Sequence, residues 1–106
     1  MDFLKKLFGI GKSDEALQNA IKNGAVIIDV RTAREFEGGH IKGSKNIPLD
    51  KIQSEADKIK KMNKPIVVCC ASGMRSASAK AVLQSKGVEV YNLGSWRNMS
   101  KYTQTN

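Results

Sequence analysis

Apolar positions along this chain change their spacing several times, and the changes mark out alternating helices and strands. Ala16, Leu17, Ala20 and Ile21 recur at helical spacing. Ser13 suits the cap of that helix, Asp14 and Glu15 its first turn, and Gly24 its end. Residues 25–30 then form a β-branched run, which predicts a strand buried on both faces. A short helix is expected over 33–37, broken by Gly38 and Gly39, followed by a loop over 40–48 with a brief strand at its end. Leu49, Ile52, Ala56 and Ile59 make the next helical stripe, and Pro65 opens a second strand over 66–70. Gly73 marks a loop, a helix is expected over 76–86 with Gly87 as its stop, and 88–91 reads as a third strand. This alternation predicts an α/β domain with a mainly parallel sheet and right-handed crossovers. Chemistry in such sheets sits beyond the carboxyl ends of the strands, where Asp29 and Cys70 fall.

Composition narrows the class. The 106 residues suffice for one core, and 41% hydrophobic with 26% charged residues is the balance of a globular protein. Eighteen Lys and Arg against ten Asp and Glu leave a formal charge of +8, a field that attracts anions. The densest lysines, Lys58, Lys60, Lys61 and Lys64, read as a solvated helix face. No aromatic residues interleave them, so nucleic-acid binding is not expected. Residues 1–12 form an amphipathic extension, with Phe3, Leu4, Leu7 and Phe8 on one helical face and Lys5 and Lys6 opposite. Docking of this stripe on the domain's own core is expected, with a partner protein or weak association with an anionic membrane as the alternatives. The extension lacks the apolar stretch of a signal peptide, and no apolar run approaches the roughly 18 residues of a membrane span. The expectation is a cytoplasmic protein with reduced thiols, its folded domain spanning 13–106.

The candidate chemistry lies between the second strand and the helix after it, in Cys70, Ala71, Ser72, Gly73, Met74, Arg75 and Ser76. A tight turn there aims backbone N–H groups inward, and the following helix adds its positive end. With the charge of Arg75, both favour a Cys70 thiolate over the thiol. An inert buried cysteine finishing a strand fits the same spacing.

Two motifs carry a family resemblance. Residues 29–48 contain Asp29-Val30-Arg31, Glu35-Phe36, Gly39-His40-Ile41, Gly43-Ser44 and Asn46-Ile47-Pro48, and Cys70 to Ser76 reads C-x-x-G-x-R-S. In this order the motifs resemble those of rhodanese domains, and Asn92-Leu93-Gly94-Ser95-Trp96 is loosely similar to a third family region. The resemblance implies a three-layer sandwich, a parallel sheet flanked by helices, with an active-site loop that follows the cysteine. It further implies that Cys70 takes sulfane sulfur from thiosulfate or a protein persulfide, carries it as a persulfide, and passes it to a thiol or to cyanide. Residues 71–75 would bind the donor, Asp29, Arg31 and Ser76 would support the loop, and no metal or organic cofactor is implied. Ser44 stands where the family favours Ala, and Ser95 where it favours Gly. The loop holds a single charge, Arg75, and would hold dianionic thiosulfate less well than a loop with further Lys or Arg.

Two other functions compete. Cys69 and Arg75 fit C-x5-R, the spacing of phosphatase and arsenate-reductase loops, whereas a non-catalytic binding module would need no thiol. Adjacent strand residues face opposite ways, so Cys69 and Cys70 cannot share one loop, and Cys69 is expected in the core. His40, the only histidine, reads as a structural hydrogen-bonding residue. Arg34 and Glu35 are expected to form a local ion pair, and Trp96 to lie in the core or close one wall of the pocket.

Overall fold

Alternation of side chains between the two faces of the central strand organises the molecule into layers. The computed structural model describes residues 12–103. Within them the order is α1 (Lys12–Lys22), β1 (Val26–Asp29), α2 (Ala33–Glu37), β2 (Lys45–Asn46), α3 (Leu49–Lys61), β3 (Ile66–Cys70), α4 (Met74–Ser85), β4 (Val90–Ser95), a 3-10 turn (Trp96–Met99) and α5 (Ser100–Thr103). The four strands form one sheet in the order β2-β1-β3-β4. Every pairing is parallel.

All five residues of β3 are buried, because helices cover both faces of the sheet. Ile66, Val68 and Cys70 face Ile52, Ala56 and Ile59 of α3 and Ala79 and Leu83 of α4. Val67 and Cys69 face Leu17 and Ala20 of α1, Leu93, and Met99 of the 3-10 turn. These two cores are the interior of a three-layer sandwich. Each fully buried Ile or Leu contributes about 1.5–3 kcal/mol, so the α3 stripe of Ile52 and Ile59 alone anchors that layer. The basic residues of the same helix lie outward: Lys58, Lys60 and Lys61 are exposed.

Three boundaries differ from the sequence expectation. Helix α1 begins at Lys12, so Ser13 lies inside it rather than capping it. Helix α4 begins at Met74 rather than at residue 76, which shortens the loop after Cys70. The last strand runs over Val90–Ser95 instead of 88–91. The Val88 amide is spent closing the end of α4, donating to the Leu83 carbonyl at 3.0 Å, so pairing starts two residues later. Beyond Asn92 the strand carries a bulge: Val68 pairs with Asn92 but Cys69 with Gly94. The amphipathic stripe of Phe3, Leu4, Leu7 and Phe8, with its expected core or membrane docking, lies outside the described residues. No helix among the described residues is long and apolar enough to cross a membrane.

Candidate functional site

The site begins where β3 ends. Cys70 is the strand's last residue, and the chain turns through Ala71, Ser72 and Gly73 straight into α4. Gly73 takes φ +108°, a left-handed conformation that an L side chain rarely adopts, and a Cβ there would stand 3.4 Å from the Gly94 Cα. That turn folds the backbone over the sulfur. The Gly73 amide donates to Cys70 Sγ at 2.9 Å and the Ser76 amide at 3.4 Å. The Ser76 hydroxyl lies 3.4 Å from Sγ and 3.1 Å from the Gly73 carbonyl, the two acceptors within reach of its single hydrogen. The β4 bulge closes the other side: Asn92 Nδ2 donates to the Gly73 carbonyl at 3.4 Å, and Asn92 Oδ1 accepts from the Gly94 amide at 2.9 Å.

Burial alone would push the Cys70 thiol up. The Ser76 hydroxyl, with the Ser76, Gly73 and Ser72 amides, overcomes burial and holds the thiol below its ordinary 9.0. Cys69, one residue earlier, has burial without those donors. It is pushed up to about 12 by burial, helped by the Asp29 carboxylate and opposed by the Arg31 charge. It sits in the core beneath α1, as expected, and both cysteines are free. Neither has exposed surface. A neutral thiol facing away from the loop is a poor nucleophile, which counts against the C-x5-R reading.

Arg75 departs from expectation. Its guanidinium does not turn to the sulfur but meets the Glu35 carboxylate at two points, Nη1 to Oε1 at 2.8 Å and Nη2 to Oε2 at 3.0 Å. Glu35 therefore pairs with a residue forty positions away rather than with Arg34. The Arg75 guanidinium and then the Thr32 amide hold the Glu35 carboxyl at about 2, far below the usual carboxylate range. Glu35 also completes a capping box at the start of α2, accepting from the Thr32 amide at 3.0 Å while its own amide donates to Thr32 Oγ1 at 3.2 Å.

Asp29 and Arg31 form the expected ion pair, buried and two-pronged, with Arg31 Nε to Asp29 Oδ1 at 2.9 Å and Nη2 to Oδ2 at 2.7 Å. Arg31 then reaches the Gly39 carbonyl at 2.7 Å and the Glu35 carbonyl at 3.4 Å. The pair thus fastens the 35–39 segment, and its link to the Cys70 loop runs through Glu35 rather than by direct contact. Asn46, given no role in the sequence reading, donates to the Asp29 and Arg31 carbonyls at 3.0 and 2.9 Å and locks the end of β1. Half-buried Trp96 takes part in cation–π contacts with the Arg31 and Arg97 guanidiniums, each 4.8 Å from its ring centroid. His40 is structural: Nδ1 donates to the Phe36 carbonyl at 2.7 Å and the ring stacks on Phe36 at 3.7 Å. A cavity of about 360 Å³ lined by Ile41, Lys42, Trp96, Arg97, Met99 and Ser100 shares no residue with the Cys70 loop. No cluster of metal-ligating side chains occurs among the described residues.

The functional residues missing from the sequence reading are thus Glu35 as the partner of Arg75, Asn46 and Asn92. Thr32-x-x-Glu35 was legible as a capping box, but its long-range partner left no local signal.

Comparison with known proteins agrees with this geometry. The family model of the rhodanese-like domain matches residues 13–101. The chain is 43% identical over 70 residues to the uncharacterized protein YqhL of Bacillus subtilis, covering 65% of this chain and 55% of that protein. It is 36% identical over 85 residues to the thiosulfate sulfurtransferase GlpE of Ectopseudomonas mendocina, covering 76% of this chain and 74% of that protein. Among solved structures, a rhodanese with anions from E. coli superposes with a TM-score of 0.64 at 30% identity, covering 71% of this chain and 91% of that one.

Proposed function

Because this chain belongs to the rhodanese-like domain family, we propose that it is a sulfurtransferase that carries sulfane sulfur as a persulfide on Cys70. The observation that carries the reading is the environment of one atom. Cys70 Sγ lies at the carboxyl end of the central strand and accepts the Gly73 amide at 2.9 Å and the Ser76 amide at 3.4 Å. Such donors favour a thiolate, the form that attacks sulfur.

The transfer consists of two displacements. The Cys70 thiolate attacks the outer, sulfane sulfur of the donor, thiosulfate or another persulfide-bearing molecule. The donor's S–S bond breaks, and sulfite or a thiolate leaves with the bonding electrons. The loop amides then face the charge on the new outer sulfur, as an oxyanion hole faces oxygen. A thiol or cyanide attacks that outer sulfur and restores the thiolate. Access requires the exposed residues Ala71 and Ser72 to yield, because Cys70 has no exposed surface at rest. The chemistry needs no metal and no strong base, so His40 keeps its structural role.

Incubating the protein with thiosulfate, removing excess donor and measuring intact mass tests the reading. A gain of about 32 Da on the Cys70 peptide, lost on adding cyanide or a thiol, is expected. Absence of that adduct with thiosulfate and with a hydropersulfide would reject it. A phosphatase or arsenate-reductase function of Cys69 lacks the geometric support that Cys70 has. A purely binding role leaves the donors around Sγ without a purpose.

A further inference from the structure

Resting on the sulfurtransferase reading, we infer that Glu35 sets donor specificity: by engaging Arg75 at two points it takes the loop's only cation out of use. The site is thereby directed away from dianionic donors and toward hydropersulfides, R–S–SH.

Three observations support this. Residues 71–76 contain one charged side chain, Arg75, and both of its contacting Nη atoms already face carboxylate oxygens of Glu35. The carboxylate has further partners on its own side. Thr32 donates to Oε1 from its amide at 3.0 Å and from its hydroxyl at 3.1 Å, and the buried Arg31 fastens the Glu35 carbonyl. The Gly73 and Ser76 amides are aimed at Cys70 Sγ itself, where they favour the thiolate whichever donor approaches. Thiosulfate, with two charges, would thus meet an Arg75 whose charge is already matched by Glu35. With the Glu35 carboxyl held at about 2, this stays so at any pH near neutral.

A hydropersulfide needs no such cation. The Cys70 thiolate attacks the outer sulfur of R–S–SH, and the new S–S bond forms as the donor's breaks. R–S⁻ departs with the electron pair, and Cys70 is left as S–SH. One negative charge enters and one leaves, with no net oxidation or reduction.

Cysteine hydropersulfide and thiosulfate serve as the two probes, with loading of Cys70 followed by rapid quench and intact mass. In the wild-type protein kcat/KM for the hydropersulfide is expected to exceed that for thiosulfate by about 100-fold. Glu35→Gln frees Arg75 and should raise the ratio of the thiosulfate value to the hydropersulfide value about tenfold, whatever the variant's absolute rates. The net charge of +8 makes the thiosulfate rate of both proteins fall with added salt, and the variant's should fall more steeply than the wild type's, a signature that loosened structure alone does not produce. Should Glu35→Gln misfold, the wild-type donor ranking still decides the matter. A wild-type preference for thiosulfate, or a folded variant with an unchanged donor ratio and no steeper salt dependence than the wild type, would overturn the inference while leaving sulfur transfer intact. Failure of both donors to load Cys70 in both proteins would instead reject the sulfurtransferase reading.

Discussion

Cys69 and Cys70 are neighbours in the chain and equally shut off from solvent, yet their thiols are driven in opposite directions. Cys69 faces the α1 layer among apolar side chains, where burial sets the outcome and the proton is held tightly. Cys70 faces the α4 layer, where the turn at Gly73 brings two amides and a hydroxyl to the sulfur. Burial by itself therefore does not make a thiol inert or reactive. What decides is whether the fold supplies hydrogen-bond donors to replace the water that burial removed.

The largest effect expected from breaking this contrast comes from exchanging the thiols for hydroxyls one at a time. Cys70→Ser should abolish sulfur loading measured by intact mass, since a hydroxyl is not ionised near neutral pH, whereas Cys69→Ser should retain most of it. The reverse ranking would promote Cys69 and the oxyanion-type chemistry.

The next effect is on stability and concerns Cys69. Its folded thiol sits at about 12 against an ordinary 9.0, so above pH 9 the unfolded chain releases this proton while the native protein keeps it. Native stability from this group is intact below pH 9 and is lost as pH rises toward 12. Between pH 7 and about 10.5 the loss is on the order of 2 kcal/mol. Urea unfolding of wild type and Cys69→Ala at the two pH values measures it: the variant should lose less on going alkaline. Equal losses would mean that the α1-side environment does not penalise the thiolate.

The smallest effects separate the donors around Cys70. Removing the hydroxyl in Ser76→Ala should raise the Cys70 midpoint by about one unit, and the thiolate fraction at neutral pH should drop accordingly. Arg75→Ala should move that midpoint less, because the Arg75 charge is matched by Glu35 rather than offered to the sulfur. Its stability cost should stay below about 1 kcal/mol for a pair this exposed. Titration of thiolate ultraviolet absorbance ranks the two. A larger shift for Arg75→Ala would restore the guanidinium as the controlling group.

Much of this architecture is legible in the sequence. The period of 3.6 along Ala16 to Ile21 and Leu49 to Ile59, and the β-branched runs ending at Asp29 and Cys70, encode the helices, the buried strands and the alternation that makes the sheet parallel. Period-2 geometry placed the two cysteines on opposite faces, and the two motifs located the loop. Their physics is local: side-chain direction and turn chemistry follow from a few adjacent residues. The tertiary structure alone decided the partner of Arg75, the indirect link from the Asp29–Arg31 pair to the loop, and the β4 bulge that seats Asn92 and Gly94 against Gly73. It also decided where β4 begins, since polar residues such as Asn92 and Ser95 carry little strand propensity and pair only because β3 lies beside them. Contacts between residues forty positions apart depend on how whole elements are set against each other, and no periodicity within a single element records that placement.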